Sequence, residues 1–206
     1  MKNSIFIAIF AGLFLCATSL PAQTAGNSLP AKFGFGVTLS SLSEIFSYTN
    51  FSAIPAPGFT IPLNINPRFR LEPEVAWTTF SASREGEEYK DKNSGHVVQI
   101  GIGLFPMVKK ENVILYCGVR AGYMASKVKN ENSNPYISNT DEENLSGFYI
   151  APATGGEYYF SSHLSAGAEI QLRYSRLSGD SKNDTTEDLK YSNFNLRGMV
   201  MVRFYL

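Results

Sequence analysis

Between Lys32 and Leu206 apolar side chains recur at every second position, in runs broken by polar, charged or proline-rich stretches. A period of two is the signature of a β-strand with one face in an apolar environment. The first run, Lys32 to Ser40, places Phe33, Phe35, Val37 and Leu39 on one face against Gly34, Gly36, Thr38 and Ser40. Seven more follow: 58–66 with Phe59 and Ile61; 68–83 with Phe69, Val75 and Trp77; 97–105 with Val98 and Ile100; 113–127 with Leu115 and Tyr123; 147–160 with Phe148, Tyr158 and Phe160; 163–175 with Ile170 and Tyr174; and 191–206 with Phe194 and Phe204. The last run is the longest regular alternation. It exceeds an ordinary strand of about 5–6 residues and covers the roughly 9–11 residues that cross a bilayer at a tilt.

The connections alternate in character. Long stretches at 41–57, 84–95, 130–146 and 178–190 are expected as loops, while Asn66-Pro67, the segment from Pro106 through Lys109, Lys110 and Asn112, and Ser161-Ser162 are expected as short turns. The loop at 41–57 differs from the others because Ile45, Phe46, Tyr48, Phe51 and Ile54 are too apolar to stay in water, which predicts that it folds over a barrel mouth or meets a partner. Eight strands with long and short connections in alternation predict an all-β, eight-stranded antiparallel up-and-down transmembrane β-barrel with a polar, charged interior and both chain ends on one side. Pro62, Pro73 and Pro152 fall inside these strands, where a missing N–H predicts a bulge or an early strand end.

Which face carries charge separates a membrane barrel from a soluble one. Opposite the apolar positions lie Arg70, Glu72, Glu74, Arg120, Glu157, Glu169, Arg173, Arg197 and Arg203, interleaved with glycines such as Gly101, Gly103 and Gly118 that leave room for long side chains. Five cations and four anions facing a narrow lumen predict an interior ion-pair network, with Arg197 and Arg203 reaching Glu169 and Glu72. Such a packed lumen is closed rather than a pore. Aromatic residues on the apolar face gather at two levels: Phe33, Phe69, Tyr158, Phe160 and Phe204 at one, and Phe59, Trp77, Tyr123, Phe148, Tyr174 and Phe194 at the other. Two such levels match the aromatic girdles at membrane interfaces.

Composition narrows this picture without deciding it. With 206 residues there is enough chain for one domain, and a formal charge of zero offers no basic patch for nucleic acid. Near-neutral mean hydropathy is what a two-faced barrel averages to. Lys2 followed by an apolar run from Ile5 to Ala17 and then small residues predicts a signal peptide, residues 1–22, with cleavage after Ala22 or Ala25 and a barrel domain over 23–206. Removal of that leader leaves Cys117 as the sole cysteine, so neither an intrachain disulfide nor a cysteine-rich metal site is expected. No cofactor is expected either. The carboxylates Asp141, Glu142 and Glu143, and Asp180, Asp184, Glu187 and Asp188, lack calcium-loop spacing and read as solvated charge.

The alternation, the closing VMVRFYL and the segment GGEYYFSSHLSAGAEIQLRYSRL resemble the outer-membrane protein β-barrel domain family, typified by small OmpA/OmpX-like barrels. The resemblance covers the mature chain. It implies a bacterial outer-membrane location with periplasmic termini, contact with outer-membrane lipids and lipopolysaccharide, and recognition of the C-terminal strand by the barrel-assembly machinery. The resemblance is specific for architecture and poor for task; the expected function is that of a monomeric, non-enzymatic barrel whose loops meet an extracellular or host ligand in a structural, adhesive or surface-interaction role. Where the family's last strand usually ends in Phe, this chain ends in Leu206 behind Phe204 and Tyr205. Two alternatives are a secreted lipocalin-like lipid carrier and a lipid A deacylase-like enzyme using His163, Ser165 and Glu169 as base, nucleophile and orienting carboxylate. The trio sits beside a short turn, far from the outer leaflet, and a polar pair at a strand start is the simpler account. For Glu72 and Glu74, spaced roughly 7 Å apart on one face, ion pairing is simpler than paired-carboxylate chemistry.

Overall fold

The computed structural model describes residues 32–41, 55–86, 90–133, 138–182 and 186–206. The leader and residues 42–54 of the apolar connection lie outside the described residues. Nine antiparallel segments are formed: β1 (Gly34–Ser41), β2 (Pro55–Thr60), β3 (Leu63–Asn66), β4 (Phe69–Glu85), β5 (Lys90–Lys110), β6 (Val113–Ser133), β7 (Ser138–Tyr159), β8 (Leu164–Lys182) and β9 (Thr186–Tyr205). Each of β4 to β8 pairs with its successor, β9 returns to β1, and β1 pairs with β2. Both β2 and β3 pair with β4, which closes the ring. Closure leaves no edge at this level for the bilayer to meet.

The nine segments make eight staves, because β2 and β3 are two halves of one strand interrupted at Ile61-Pro62. Proline chemistry explains the break. Pro62 has no N–H to donate, and its carbonyl instead accepts from Gly34 N at 3.0 Å. A register shift follows between Asn64 and Asn66. Pro73 sits across the same gap: its carbonyl accepts from Ile61 N at 2.9 Å, so its nitrogen also points toward the break, and its pairing with Ile102 of β5 is undisturbed. Pro152 keeps its partner Val119 in β6, while the pairing with β8 lapses at Ala151 and Pro152 without changing register.

Three expectations about strand ends are corrected. The stretches at 84–95, 130–146 and 178–190 are mostly strand, since β4 and β5 pair out to Glu85 and Lys90, β6 and β7 to Ser133 and Ser138, and β8 and β9 to Lys182 and Thr186. Beyond the apolar belt the outward face is polar, so hydrophobic alternation fades although the backbone ladder continues; Lys127 and Glu142 make a cross-strand pair at 2.5 Å there. Likewise β5 runs through Pro106 to Lys110, and the turn is confined to Glu111 and Asn112. Glu111 takes a positive φ of 53° to make it. The second strand begins at Pro55 rather than Gly58.

The wall is inverted relative to a soluble protein. Val37, Leu39, Ile100, Ile102, Leu115, Ile170, Leu196, Val200 and Val202 are exposed on the outside, while Arg70, Arg120, Arg173 and Arg203 are fully buried inside. An apolar belt around a charged interior suits hydrocarbon outside the wall and would fail in water. Inside, two apolar clusters bracket the charges. Phe105, Met107, Ile114, Tyr116, Ala153, Tyr159 and Tyr205 fill the end near the short turns. At the other end Ala56, Val97, Met124, Leu145 and Leu177 pack with Leu189 and Tyr191.

Candidate functional site

The only concentrated polar chemistry among the described residues lies in the lumen. Arg120, from the centre of β6, spans three carboxylates: its Nε donates to Glu169 Oε1 at 2.6 Å, Nη1 to Glu74 Oε2 at 3.0 Å and Nη2 to Glu72 Oε1 at 2.6 Å. Arg203 continues the array, with Nη2 on Glu72 Oε2 at 2.6 Å and Nη1 on Glu157 Oε2 at 2.9 Å. Arg70 closes it through Glu157 Oε2 at 2.8 Å, and its Nε donates to Asn64 Oδ1 at 2.9 Å. Charge-assisted bonds of this length are strong ones. The four buried carboxylates among the described residues are thereby engaged by three arginines.

Neutral groups complete these carboxylates. Tyr205 Oη donates to Glu157 Oε1 at 2.6 Å, and Ser165 Oγ donates to the same oxygen. Tyr149 Oη donates to Glu74 Oε1 at 2.5 Å, and Gln99 Nε2 reaches that oxygen at 2.8 Å. Gln171 Nε2 donates to Glu169 Oε1 at 2.8 Å. A buried carboxylate needs this many donors to offset its lost hydration.

The two remaining arginines behave differently. Arg173 Nη1 donates to Gln99 Oε1 at 2.8 Å and Nη2 to Gln171 Oε1 at 3.1 Å, while its guanidinium stacks 4.0 Å from the Tyr149 ring centroid. Arg197 Nη1 reaches the same Gln99 Oε1 at 3.3 Å, and Nη2 donates to Ser40 Oγ. Arg203 therefore meets Glu72, but Arg197 meets no glutamate among the described residues.

The glycines make room chiefly for aromatic rings and for backbone rather than for arginines. A Cβ on Gly101 would lie 2.0 Å from Tyr149 Oη, and one on Gly103 would lie 2.4 Å from the Phe105 ring. On Gly155 it would meet the Tyr116 ring at 2.6 Å. Tyr116, Tyr149, Tyr205, Gln99 and Gln171 thus belong to the lumen as much as the ions do. Their signal was present in their phase: each occupies the strand face that carries glycine and charge.

The trio His163, Ser165 and Glu169 is not assembled. His163 is exposed in the turn before β8 with its Nδ1 2.8 Å from Ser162 Oγ, whereas Ser165 is buried on Glu157 and Glu169 is bound to Arg120. Among the described residues there is no cluster of His, Cys, Asp and Glu that would hold a metal.

The aromatics read from the outer face do stand on it. Phe33, Trp77, Tyr123, Phe148, Tyr158, Phe160, Phe194 and Phe204 are exposed, while Phe59, Phe69 and Tyr174 are half-buried. Phe59 packs between Phe35 at 5.1 Å and Trp77 at 5.5 Å, and Tyr158 lies edge-on to Phe160 at 5.2 Å. Tyr123 pairs across strands with Phe148, and Tyr174 with Phe194.

Solved structures similar to this chain include Ail, the attachment invasion locus protein of Yersinia pestis, at 16% identity over 84% of this chain and 95% of that one, with a TM-score of 0.43. Neisserial surface protein A matches at 12% identity over 84% and 96%, TM-score 0.44, and a major outer membrane protein from Thermus thermophilus at 10% over 84% and 99%, TM-score 0.49. No curated protein matches the sequence. The model of the outer membrane protein beta-barrel domain matches residues 10–204. With a closed antiparallel ring, an apolar outer wall and that match across nearly the whole chain, the protein belongs to the outer membrane protein beta-barrel domain family.

Proposed function

We propose that this protein is a non-enzymatic outer-membrane barrel that holds an antiparallel ribbon at the cell surface, in a structural, adhesive or surface-interaction role. One observation carries the reading: the lumen is filled from end to end, by an aromatic cluster, an ion-paired layer and an apolar cap. A filled lumen offers neither a conduit nor a cleft for substrate. What remains for function is the surplus strand. The five strands β5 to β9 have 19 to 22 residues each, about twice the roughly 9–11 that cross a bilayer.

In this reading the short turns and both termini face the periplasm, and the long ends of β4 to β9 stand outside. The two groups of aromatics mark the interfaces, and the nine interior ions keep the wall in one register. The closing strand β9 carries the signal for the barrel-assembly machinery, the lipid-facing Val200, Val202 and Phe204, and two interior arginines. The barrel acts as a monomer among lipopolysaccharide and phospholipid. Its ribbon carries ion pairs suited to water, Lys127 with Glu142 and Lys129 with Glu131.

Orientation is tested on intact cells with an impermeant maleimide, in a Cys117→Ser background carrying either Thr140→Cys or Glu111→Cys. Labelling of position 140 alone supports the reading; labelling of position 111 in intact cells overturns it. Adherence of cells bearing or lacking the protein to host-cell layers then separates an adhesive from a purely structural role. A lipid A acyl pattern unchanged by Ser165→Ala, and a planar bilayer with no steady current, are the outcomes expected of a sealed, non-catalytic barrel.

A further inference from the structure

We infer that one arc of the short-turn rim is a docking surface for an anionic glycerophospholipid. Its phosphate lies on Lys32, Arg68 and Lys110, and an acyl chain lies along the apolar wall beside them. The inference rests on the outer-membrane reading, and in the orientation proposed above the lipid belongs to the periplasmic leaflet.

Backbone pairing gathers the three cations. Lys32 O accepts from Asn64 N of β3 at 2.9 Å, and Arg68 O, just before β4, accepts from Met107 N of β5 at 2.8 Å. Lys110 is the last residue of β5, opposite Val113, and shares the outward parity of Ile102 and Leu104. From the start of β1 across β3 and β4 to β5 is three strand spacings, roughly 15 Å. All three side chains are exposed, and Lys109 adds a half-buried fourth cation.

The charge of this arc is one-sided. Glu111 is the only acidic side chain at the rim among the described residues. Residues 1–31 contain no Asp or Glu, and Glu44, Glu87, Glu88 and Asp184 fall in stretches that join strands at the opposite end of the barrel. On the far side of the ring the turn before β8, Ser161 to His163, carries no Lys, Arg, Asp or Glu. The long strand ends are built otherwise, with cations set against carboxylates: Lys92 and Lys129 on Glu131, and Lys127 on Glu142.

The wall beside the cations is apolar. Phe33, Ile65 and Leu104 are exposed there, and Phe69 is half-buried. A cation followed directly by an aromatic of the outer wall occurs twice, at Lys32-Phe33 and Arg68-Phe69. Such rings sit at headgroup level, and long cationic side chains cover apolar surface with their stems while their charged ends stay in the polar layer. Basic clusters at that level attract acidic headgroups. A free phosphate would match the cations and gain nothing from the wall, and a zwitterionic lipid would match the wall and leave the cations without net countercharge. An anionic phospholipid satisfies both parts of the surface, and its consequence is a barrel held at a fixed depth in the bilayer.

The test reconstitutes the full barrel in phosphatidylcholine vesicles carrying a trace of spin-labelled phosphatidylglycerol or spin-labelled phosphatidylcholine, and reads the motionally restricted fraction by electron paramagnetic resonance. The wild type should prefer phosphatidylglycerol about fivefold at low salt, and the preference should fall as salt is raised. It should be lost when Lys32→Gln, Arg68→Gln and Lys110→Gln are combined, and kept when Lys92→Gln, Lys129→Gln and Lys190→Gln are combined at the other end. Equal restriction of the two lipids by the wild type, a preference kept by the first variant, or one lost in the second overturns the inference. So does competition by inorganic phosphate at matched ionic strength, which would assign the cations to a free anion. If the first variant does not insert, Lys110→Glu alone should lower the preference to about half, and an unchanged preference overturns the inference. The readout is the same whichever end faces the periplasm. Labelling of position 111 in intact cells together with the expected preference therefore overturns the orientation and leaves this surface standing, its lipid then in the outer leaflet.

Discussion

The two halves of the lumen are built on different physics. Near the short turns, three arginines and four carboxylates pair with one another, and aromatic rings seal the end. Toward the long strand ends, two arginines rest on amides and a tyrosine ring beneath an apolar cap. The difference teaches where the wall tolerates change. In the lower half every charge has a fixed partner, so losing one strands the others; in the upper half Arg197 is held, among the described residues, by an amide and a hydroxyl that carry no charge and lose little when it goes.

The sharpest way to break this contrast is to delete one arginine from each half. Arg120→Met leaves Glu72, Glu74 and Glu169 short of a shared partner and is expected to cost about 3–5 kcal/mol, the usual penalty for an orphaned buried charge. Arg197→Met is expected to cost far less, because a cation with no carboxylate partner among the described residues is replaced by an apolar side chain of similar length. Equilibrium unfolding in urea from detergent or lipid measures both, and equal losses would sink the contrast.

Next in size is crowding at the boundary between the halves. Gly101→Val drives a side chain into Tyr149, which bonds Glu74 below and stacks on Arg173 above. A loss of roughly 1–3 kcal/mol is expected, the range for overpacking, and pairing it with Tyr149→Phe should recover part of it.

Smaller still, and of opposite sign, is the turn after β5. Glu111 holds a left-handed φ of 53° that favours glycine. Glu111→Gly should therefore stabilise the barrel by about 1 kcal/mol, since a non-glycine residue in that region costs about that much. The same unfolding titration reads it, and a loss of stability would assign Glu111 a role beyond the turn.

The smallest effect is expected at Glu131, outside the membrane. A hydrogen bond from Lys129, then its charge, holds the Glu131 carboxyl below its ordinary value of 4.5 and raises Lys129 above its own. The sign follows from linkage: the depressed carboxyl contributes stability above its ordinary value and loses it as pH falls through the lowered one. Both groups are solvent-exposed and screened. Glu131→Gln should leave unfolding at neutral pH unchanged, and a resolvable shift would mean that the ribbon's ion pairs matter as the lumen's do.

Much of this architecture was legible in the alternation alone. Phe35, Val37 and Leu39 against Gly36, Thr38 and Ser40 specify an outward and an inward face without any tertiary information, because a strand offers only two sides. The same parity put Arg70, Arg120 and Arg203 inside. It faded where both faces are wet, which is why strand at 130–133 and 138–146 read as loop. Pro106 read as a turn because its effect on pairing depends on which neighbour its nitrogen faces, and that is a matter of register.

The sequence by itself determined the class of this protein: a chain whose every second residue is apolar, with arginine and glutamate between, folds with its charges inward only when hydrocarbon lies outside. Which arginine meets which glutamate was decided by the tertiary structure, because closing the ring staggers the strands and brings together residues as distant in sequence as Glu72 and Arg203. That stagger gave Arg203 two carboxylates and, among the described residues, gave Arg197 none.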